Sequence, residues 1–319
     1  MNSPILYKIQ IATAHRAEVV PTGSHDTRGL VAAFMASLDV KASSRDQYQR
    51  TLRQFLNWTE VKGYSLSEIE REHLLQYKEE LLASGKSSLT VASYLTSLKA
   101  FYTWAEGIKA YPNVAKGIKL PTRKQQFRKQ PLLPSQAEEL LAYYGPKRDF
   151  AVVNLLLRTG LRTIEVVRAD VGDIVFKGGQ RVLLVHGKGR DEKDNFVILT
   201  AKAYGPLAEY LATRPNAKQG EPLFVSESNN NGGGRLSTRA VSAMAKEGLR
   251  AIGLGDKAYT AHSLRHTGAT NILRATGDLE KTRLFCRHSN PATTLVYTHT
   301  LNEERRLKDS GEEVLDTLF

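Results

Sequence analysis

A single cysteine, Cys286, serves 319 residues, so the chain can form no internal disulfide and is expected in a reducing compartment. No apolar run approaches the roughly 20 residues needed to span a bilayer. The opening stretch MNSPILYKIQIATAHRAEVV lacks the continuous apolar core of a secretory signal. Negative charge is also scarce: 33 Asp and Glu stand against 45 Lys and Arg, a formal net charge of +12. An excess of that size points to a polyanionic partner, either nucleic acid or an anionic surface. With no segment to hold a membrane, the expectation is a soluble cytoplasmic protein facing DNA or RNA.

What is present is mostly helical periodicity. Residues 1–26 show no period and are expected to form a loosely ordered arm. Residues 27–110 read as an all-α domain. Ser44 with Gln47 suggests a capping box before a stripe of Tyr48, Leu52, Phe55 and Leu56, which Gly63 should stop. Ser67 with Glu70 repeats the pattern before Leu74, Tyr77 and Leu81, and Gly85 closes that segment. A further stripe of Val91, Tyr94, Leu95, Leu98, Phe101 and Tyr102 starts near Ser87 or Ser88 and runs to Gly107.

Residues 111–132 read as a linker. Between Lys116 and Lys129 it carries six basic residues (Lys116, Lys119, Arg123, Lys124, Arg128, Lys129) and no acidic one. Such a run is a solvated face or a strap across a phosphate backbone. Residues 133–300 read as an α+β domain. Helices over PSQAEELLAYY and RDFAVVNLLLRTG precede three β-rich stretches, DIVF, RVLLVH and NFVIL, separated by KGGQ and GKGRDEKD. These predict a small three-stranded antiparallel sheet. Helices follow from Ser237, and residues 301–319 form a tail with Val314, Leu315, Leu318 and Phe319 on one helical face. The fold class expected is mainly α: a helical N-terminal domain, then an α+β domain with a small sheet.

Few residues can do chemistry. Arg162 and Glu165 stand at i, i+3 after a glycine break, where the carboxylate can orient the guanidinium. His262 and Arg265 repeat that spacing. His288 and Tyr297 lie nine residues apart, about 13.5 Å on a straight helix, but Ser289, Asn290 and Pro291 between them predict a turn that reunites them. His262 with His266 at i, i+4 lacks the glutamate of a zinc HExxH site, and Lys188 in GKG lacks the Ser or Thr that follows the lysine of a phosphate loop. No metal is expected. Taken together, two arginines, a lysine, two histidines, a carboxylate and a tyrosine suit attack on a phosphodiester. Guanidiniums clamp the non-bridging oxygens as their charge grows, and an imidazole takes the phenol proton.

The stretches LLLRTGLRTIEVVRADVGDI, VHGKGRDEKDNFVIL, AHSLRHTGATNIL and RHSNPATTLVYTHT, in this order and spacing, resemble the catalytic domain of the tyrosine recombinase (phage integrase) family. The helical region more loosely resembles that family's core-binding domain. The resemblance implies that Arg162 and Arg265 hold the scissile phosphate and that Glu165 orders Arg162. Lys188 would protonate the 5′ oxygen, His262 would act as acid/base, and His288 would hydrogen-bond the phosphate. Tyr297 would attack, leaving a 3′-phosphotyrosine that is resealed without ATP, metal or cofactor. Partners implied are double-stranded DNA with specific sites and a homotetramer on two duplexes, with accessory proteins unspecified and the tail docked on a neighbouring protomer. One departure stands out: Arg287 replaces the glycine usual before the third-box histidine, where it would either add a phosphate contact or change how that turn sits. Residues 1–26 are too few for an arm-binding domain. Two other readings are a non-catalytic DNA-binding regulator with this fold and a type IB topoisomerase-like relaxing enzyme.

Overall fold

The structure, a computed structural model, describes residues 27–122, 129–145, 148–186, 193–308, 311–316 and 318. The chain divides into two compact units, the first ending at Gln125 and the second beginning at Gln126.

The first unit is helical: α1 (Thr27–Ser37), α2 (Ala42–Lys62), α3 (Arg71–Ala83) and α4 (Ser88–Gly107). Its core is the predicted stripes turned inward, with Leu52, Phe55, Leu74, Tyr77, Leu95, Leu98 and Phe101 buried together and Phe34 of α1 joining them. Edge-to-face contacts of Phe34 on Phe101 and Phe55 on Tyr77 tie α1 to α4 and α2 to α3, a geometry that aligns ring edge with ring face. Gly63 ends α2 in the left-handed region at φ 74°. Ser87 caps α4 by accepting from the Thr90 amide.

Two expected caps are displaced. Lys41, not Ser44, is the N-cap of α2, because its carbonyl already accepts from the amides of Ser44 and Arg45. The second capping box is Ser65 with Glu68, over the short 3-10 turn Leu66–Glu68, and α3 starts after Glu70. The expected linker also folds onto the first unit at its start. Ala115 and Ile118 are buried in that core, and the carbonyls of Lys116 and Lys119 accept from Arg71 and Lys78.

The second unit opens with α5 (Pro134–Tyr143), α6 (Arg148–Thr159) and α7 (Thr163–Arg168). Strands β1 (Ile174–Lys177), β2 (Gln180–Val185) and β3 (Asn195–Ile198) form an antiparallel sheet in the order β1-β2-β3. Register pairs Ile174 with Leu183 and Leu183 with Val197. The period of two sends Leu183, Val185 and Val197 into the core. Then come α8 (Ala201–Ala212), α9 (Thr238–Ala251), α10 (Ala261–Thr276), α11 (Leu279–Cys286), α12 (Leu295–Lys308) and α13 (Gly311–Asp316). Helix α6 is apolar nearly all round, with Val152, Val153, Leu155 and Leu156 fully buried, and it packs on α8 and α10. A helix hydrophobic on every side belongs at a domain centre. Here it carries the segment after it, Gly160 to Glu165, into the site.

Residue 301 does not begin a separate tail. Helix α12 runs through it, and Leu301 is buried beside Tyr297. No described helix is long and apolar enough to cross a membrane.

Candidate active site

The site is assembled by four segments of the second unit: the α6–α7 turn, α10, the end of α11 and the start of α12. Gly160 makes the first turn. Its φ is +59°, and a Cβ there would lie 2.6 Å from the Phe285 ring, so only glycine fits. Arg162 follows as the N-cap of α7, and its Nη1 donates to Glu165 Oε1 at 2.7 Å. Glu165 Oε2 accepts from the Arg162 amide, also at 2.7 Å. The Glu165 side chain is 1 % exposed, whereas that of Arg162 is 32 % exposed. The carboxylate is therefore the fixed partner and the guanidinium the presented one. Burial raises the Glu165 pKa, but Arg287 and Arg162 outweigh it and hold the group below the usual range.

Arg265 leaves the buried face of α10 and is 1 % exposed. Its guanidinium donates to the carbonyls of Gly160 and Cys286. His262 stands one turn earlier, exposed, with its ring centroid 4.7 Å from that of His266. His266 in turn meets Tyr297 edge to face at 5.1 Å. Desolvation lowers the His262 pKa, with Arg265 and Arg162 adding to it, and pushes that of His266 down to about 4. Beside Arg162 and His262 opens a cleft of ≈ 310 Å³ that also includes Thr163, Ser242 and Thr260.

Asn290 caps the short turn Pro291–Thr293, as its spacing predicted. The turn brings the His288 ring parallel to that of Tyr297 at a centroid separation of 6.3 Å. His288 is 8 % exposed and its Nδ1 lies 3.0 Å from the Thr294 hydroxyl. Burial, then Arg265, Arg162 and Arg287, bring its pKa down to about 4. Tyr297 is 3 % exposed, packed against Ala269, Leu273, Cys286 and Leu301. The Cys286 thiol donates to its hydroxyl at 3.8 Å. Burial raises the phenol pKa, and the adjacent Arg265 guanidinium pulls the other way.

The structure thus brings Arg162, Glu165, His262, Arg265, His288 and Tyr297 together. It does not treat every expected site residue alike. Arg287 is no surface phosphate contact: its side chain is 6 % exposed and its Nη2 donates to Glu165 Oε2 at 2.8 Å. It also donates to the carbonyls of Thr159, Gly160 and Phe285. The residue closes α11 at φ +52°, where a side chain other than glycine costs about 1–2 kcal/mol. That backbone geometry explains why glycine would serve there. Lys129 is likewise engaged, its amine donating to the Lys257 carbonyl at 2.6 Å, whereas Lys116 and Lys119 are exposed. Lys188, Arg123, Lys124 and Arg128 lie outside the described residues. Of the apolar tail residues, Leu315 and Leu318 are exposed, and the side chains of Val314 and Phe319 lie outside those described.

Sequence reasoning weighed His266 only as a zinc ligand, and its place between His262 and Tyr297 was missed. The i, i+4 spacing on α10 was the available signal. Among the described residues no group of three His, Cys, Asp or Glu is gathered for a metal ion.

The two-unit fold and this cluster of arginines, histidines and a tyrosine define a class of protein that comparison identifies. Residues 130–304 match the Phage integrase family and residues 33–107 match the Phage integrase N-terminal SAM-like domain. The chain belongs to the phage integrase family. It is 30% identical over 264 residues to the tyrosine recombinase XerC of Thermodesulfovibrio yellowstonii, covering 79% of this chain and 84% of that one. It is 33% identical over 225 residues to the XerC of Actinobacillus pleuropneumoniae, covering 68% and 70%. In fold it is similar to the XerH site-specific recombinase bound to a palindromic difH substrate. The TM-score is 0.71 at 20% identity, over 90% of this chain and 84% of that one.

Proposed function

We propose that this chain is a site-specific DNA recombinase that cuts and rejoins strands through a 3′-phosphotyrosine. The single observation that carries the reading is the meeting of Tyr297 with Arg265, His266 and His288 in one buried corner. Glu165 ties Arg162 into that same corner.

Arg162 and Arg265 receive the non-bridging oxygens of the scissile phosphate, and their charge stabilises the pentacoordinate transition state. The Tyr297 oxygen forms the new bond to phosphorus as the bond to the 5′ oxygen breaks. The phenol proton passes to an imidazole, for which His262 is the exposed candidate and His266 the link to the ring. Burial keeps His266 and His288 neutral at pH 7, so each presents one N–H and one lone pair for hydrogen bonding in the site. Lys188 supplies the proton to the departing 5′ oxygen. His288 donates a hydrogen bond to the phosphate from the nitrogen not facing Thr294. Rejoining reverses the step with a 5′ hydroxyl from a second strand, so no ATP or metal enters the balance. A phenol that is only 3 % exposed must swing outward to meet duplex DNA.

The helical domain at 27–110 grips the duplex, helped by exposed Lys116 and Lys119. Four chains act on two duplexes, the tail of each reaching a neighbour, in the cytoplasm. Integration, excision, inversion and resolution are all served by this one chemistry.

The test is covalent capture. Protein is incubated with a randomised duplex library, quenched in detergent, and the attached strands are sequenced. Wild type should retain a defined site through its 3′ end, and Tyr297→Phe should retain nothing. No adduct on any sequence would refute the reading and favour a regulator. Adducts on arbitrary sequence, with relaxation of supercoiled plasmid, would favour a relaxing enzyme.

A further inference from the structure

Three arginines meet at one carboxylate and one peptide carbonyl. Glu165 Oε1 accepts from Arg162, and Oε2 accepts from Arg287 at 2.8 Å. The Gly160 carbonyl accepts from Arg287 Nη2 at 3.0 Å and from Arg265 Nη1. Arg265 reaches back to the carbonyl of Cys286, the residue before Arg287. Arg162 and Arg265 are therefore joined by a closed hydrogen-bonded path, and Arg287 is its middle link. No other described side chain donates to Glu165 from outside its own helix turn.

We propose that Arg287 is a positioning residue that aligns the two phosphate-clamping arginines through Glu165 and the Gly160 turn, an inference that rests on the recombinase reading above. Its guanidinium is occupied by protein acceptors, Nη1 and Nη2 donating to three carbonyls and to the Glu165 carboxylate. Its bonds hold the α6–α7 turn against the end of α11 at three acceptors, the Thr159 and Gly160 carbonyls and the Glu165 carboxylate. Without them, among the described residues, Glu165 has only Arg162 to set its angle, and Arg162 is a third exposed and free to follow. The left-handed backbone at residue 287 is already glycine-like, so the side chain is what this chain adds at that position.

Arg287→Gly removes the guanidinium and keeps the backbone geometry, and Arg287→Asn, which also tolerates that geometry, is the second variant. Each is assayed on the duplex recovered by covalent capture, scoring both adduct rate and equilibrium binding. A displacement of about 1 Å at such a clamp slows the chemistry about 10- to 100-fold, so adduct formation should fall by that factor with binding unchanged. Combining either variant with Glu165→Gln should slow the reaction no further than Glu165→Gln alone, because both act on one path. Wild-type adduct rates in both variants would overturn the proposal while leaving the recombinase reading intact. Binding that weakens in step with the adduct rate, or effects that multiply in the double variant, would overturn it equally. Absence of any adduct in the wild type would instead remove the reading beneath it.

Discussion

Acid should loosen the second unit through His288, and the structure sets both the direction and the size. The ring is 8 % exposed and is faced by Arg265, Arg162, Arg287 and His262 as well as by the Thr294 hydroxyl. Burial chiefly, then those guanidiniums, hold its pKa at about 4 against an ordinary 6.5. The unfolded chain therefore takes the proton first. Stability from this residue is complete above pH 6.5 and is lost as pH falls toward the folded value near 4. At about 1.4 kcal/mol per pH unit, the full interval is worth about 3 kcal/mol. That is a visible fraction of the 5–15 kcal/mol or so that holds a domain together. Urea unfolding of wild type and His288→Gln, followed at about pH 7 and again at about pH 4.5, isolates the residue. The wild type should lose about 2–3 kcal/mol more than the variant over that interval. Equal losses, or a larger loss in the variant, would refute the argument. The titrating groups that do not face His288 behave alike in both proteins.

Two further substitutions probe the same scaffold. Gly160→Ala combines a left-handed φ of +59° with a Cβ placed 2.6 Å from Phe285. It should destabilise the protein by about 2–4 kcal/mol in thermal unfolding. Glu165→Gln leaves the buried Arg287 and the half-buried Arg162 without their shared counter-charge. A loss of about 3–5 kcal/mol in chemical denaturation is expected, accompanied by slower formation of the covalent adduct. An adduct yield equal to wild type would show that Arg162 needs no carboxylate to hold it.

The amino-acid sequence by itself determined the local architecture, since each helix and strand is written in neighbours a few residues apart. The stripes at Leu95, Leu98 and Tyr102, the stop at Gly63, the cap at Ser87, and the alternation that turns Leu183 and Val185 inward all need no distant partner. The pairing of Arg162 with Glu165 is of this kind too, three residues apart on one turn. Tertiary structure alone decided the rest. Glu165 and Arg287 are separated by 122 residues, and Arg265 and Gly160 by 105. Nothing in a local pattern distinguishes a buried arginine that braces a carboxylate from one that meets solvent phosphate. The same holds for His266, which acquires its place only when α12 lays Tyr297 beside α10. Burial follows from which surfaces the whole chain brings together, and it is burial that turns these ordinary side chains into partners.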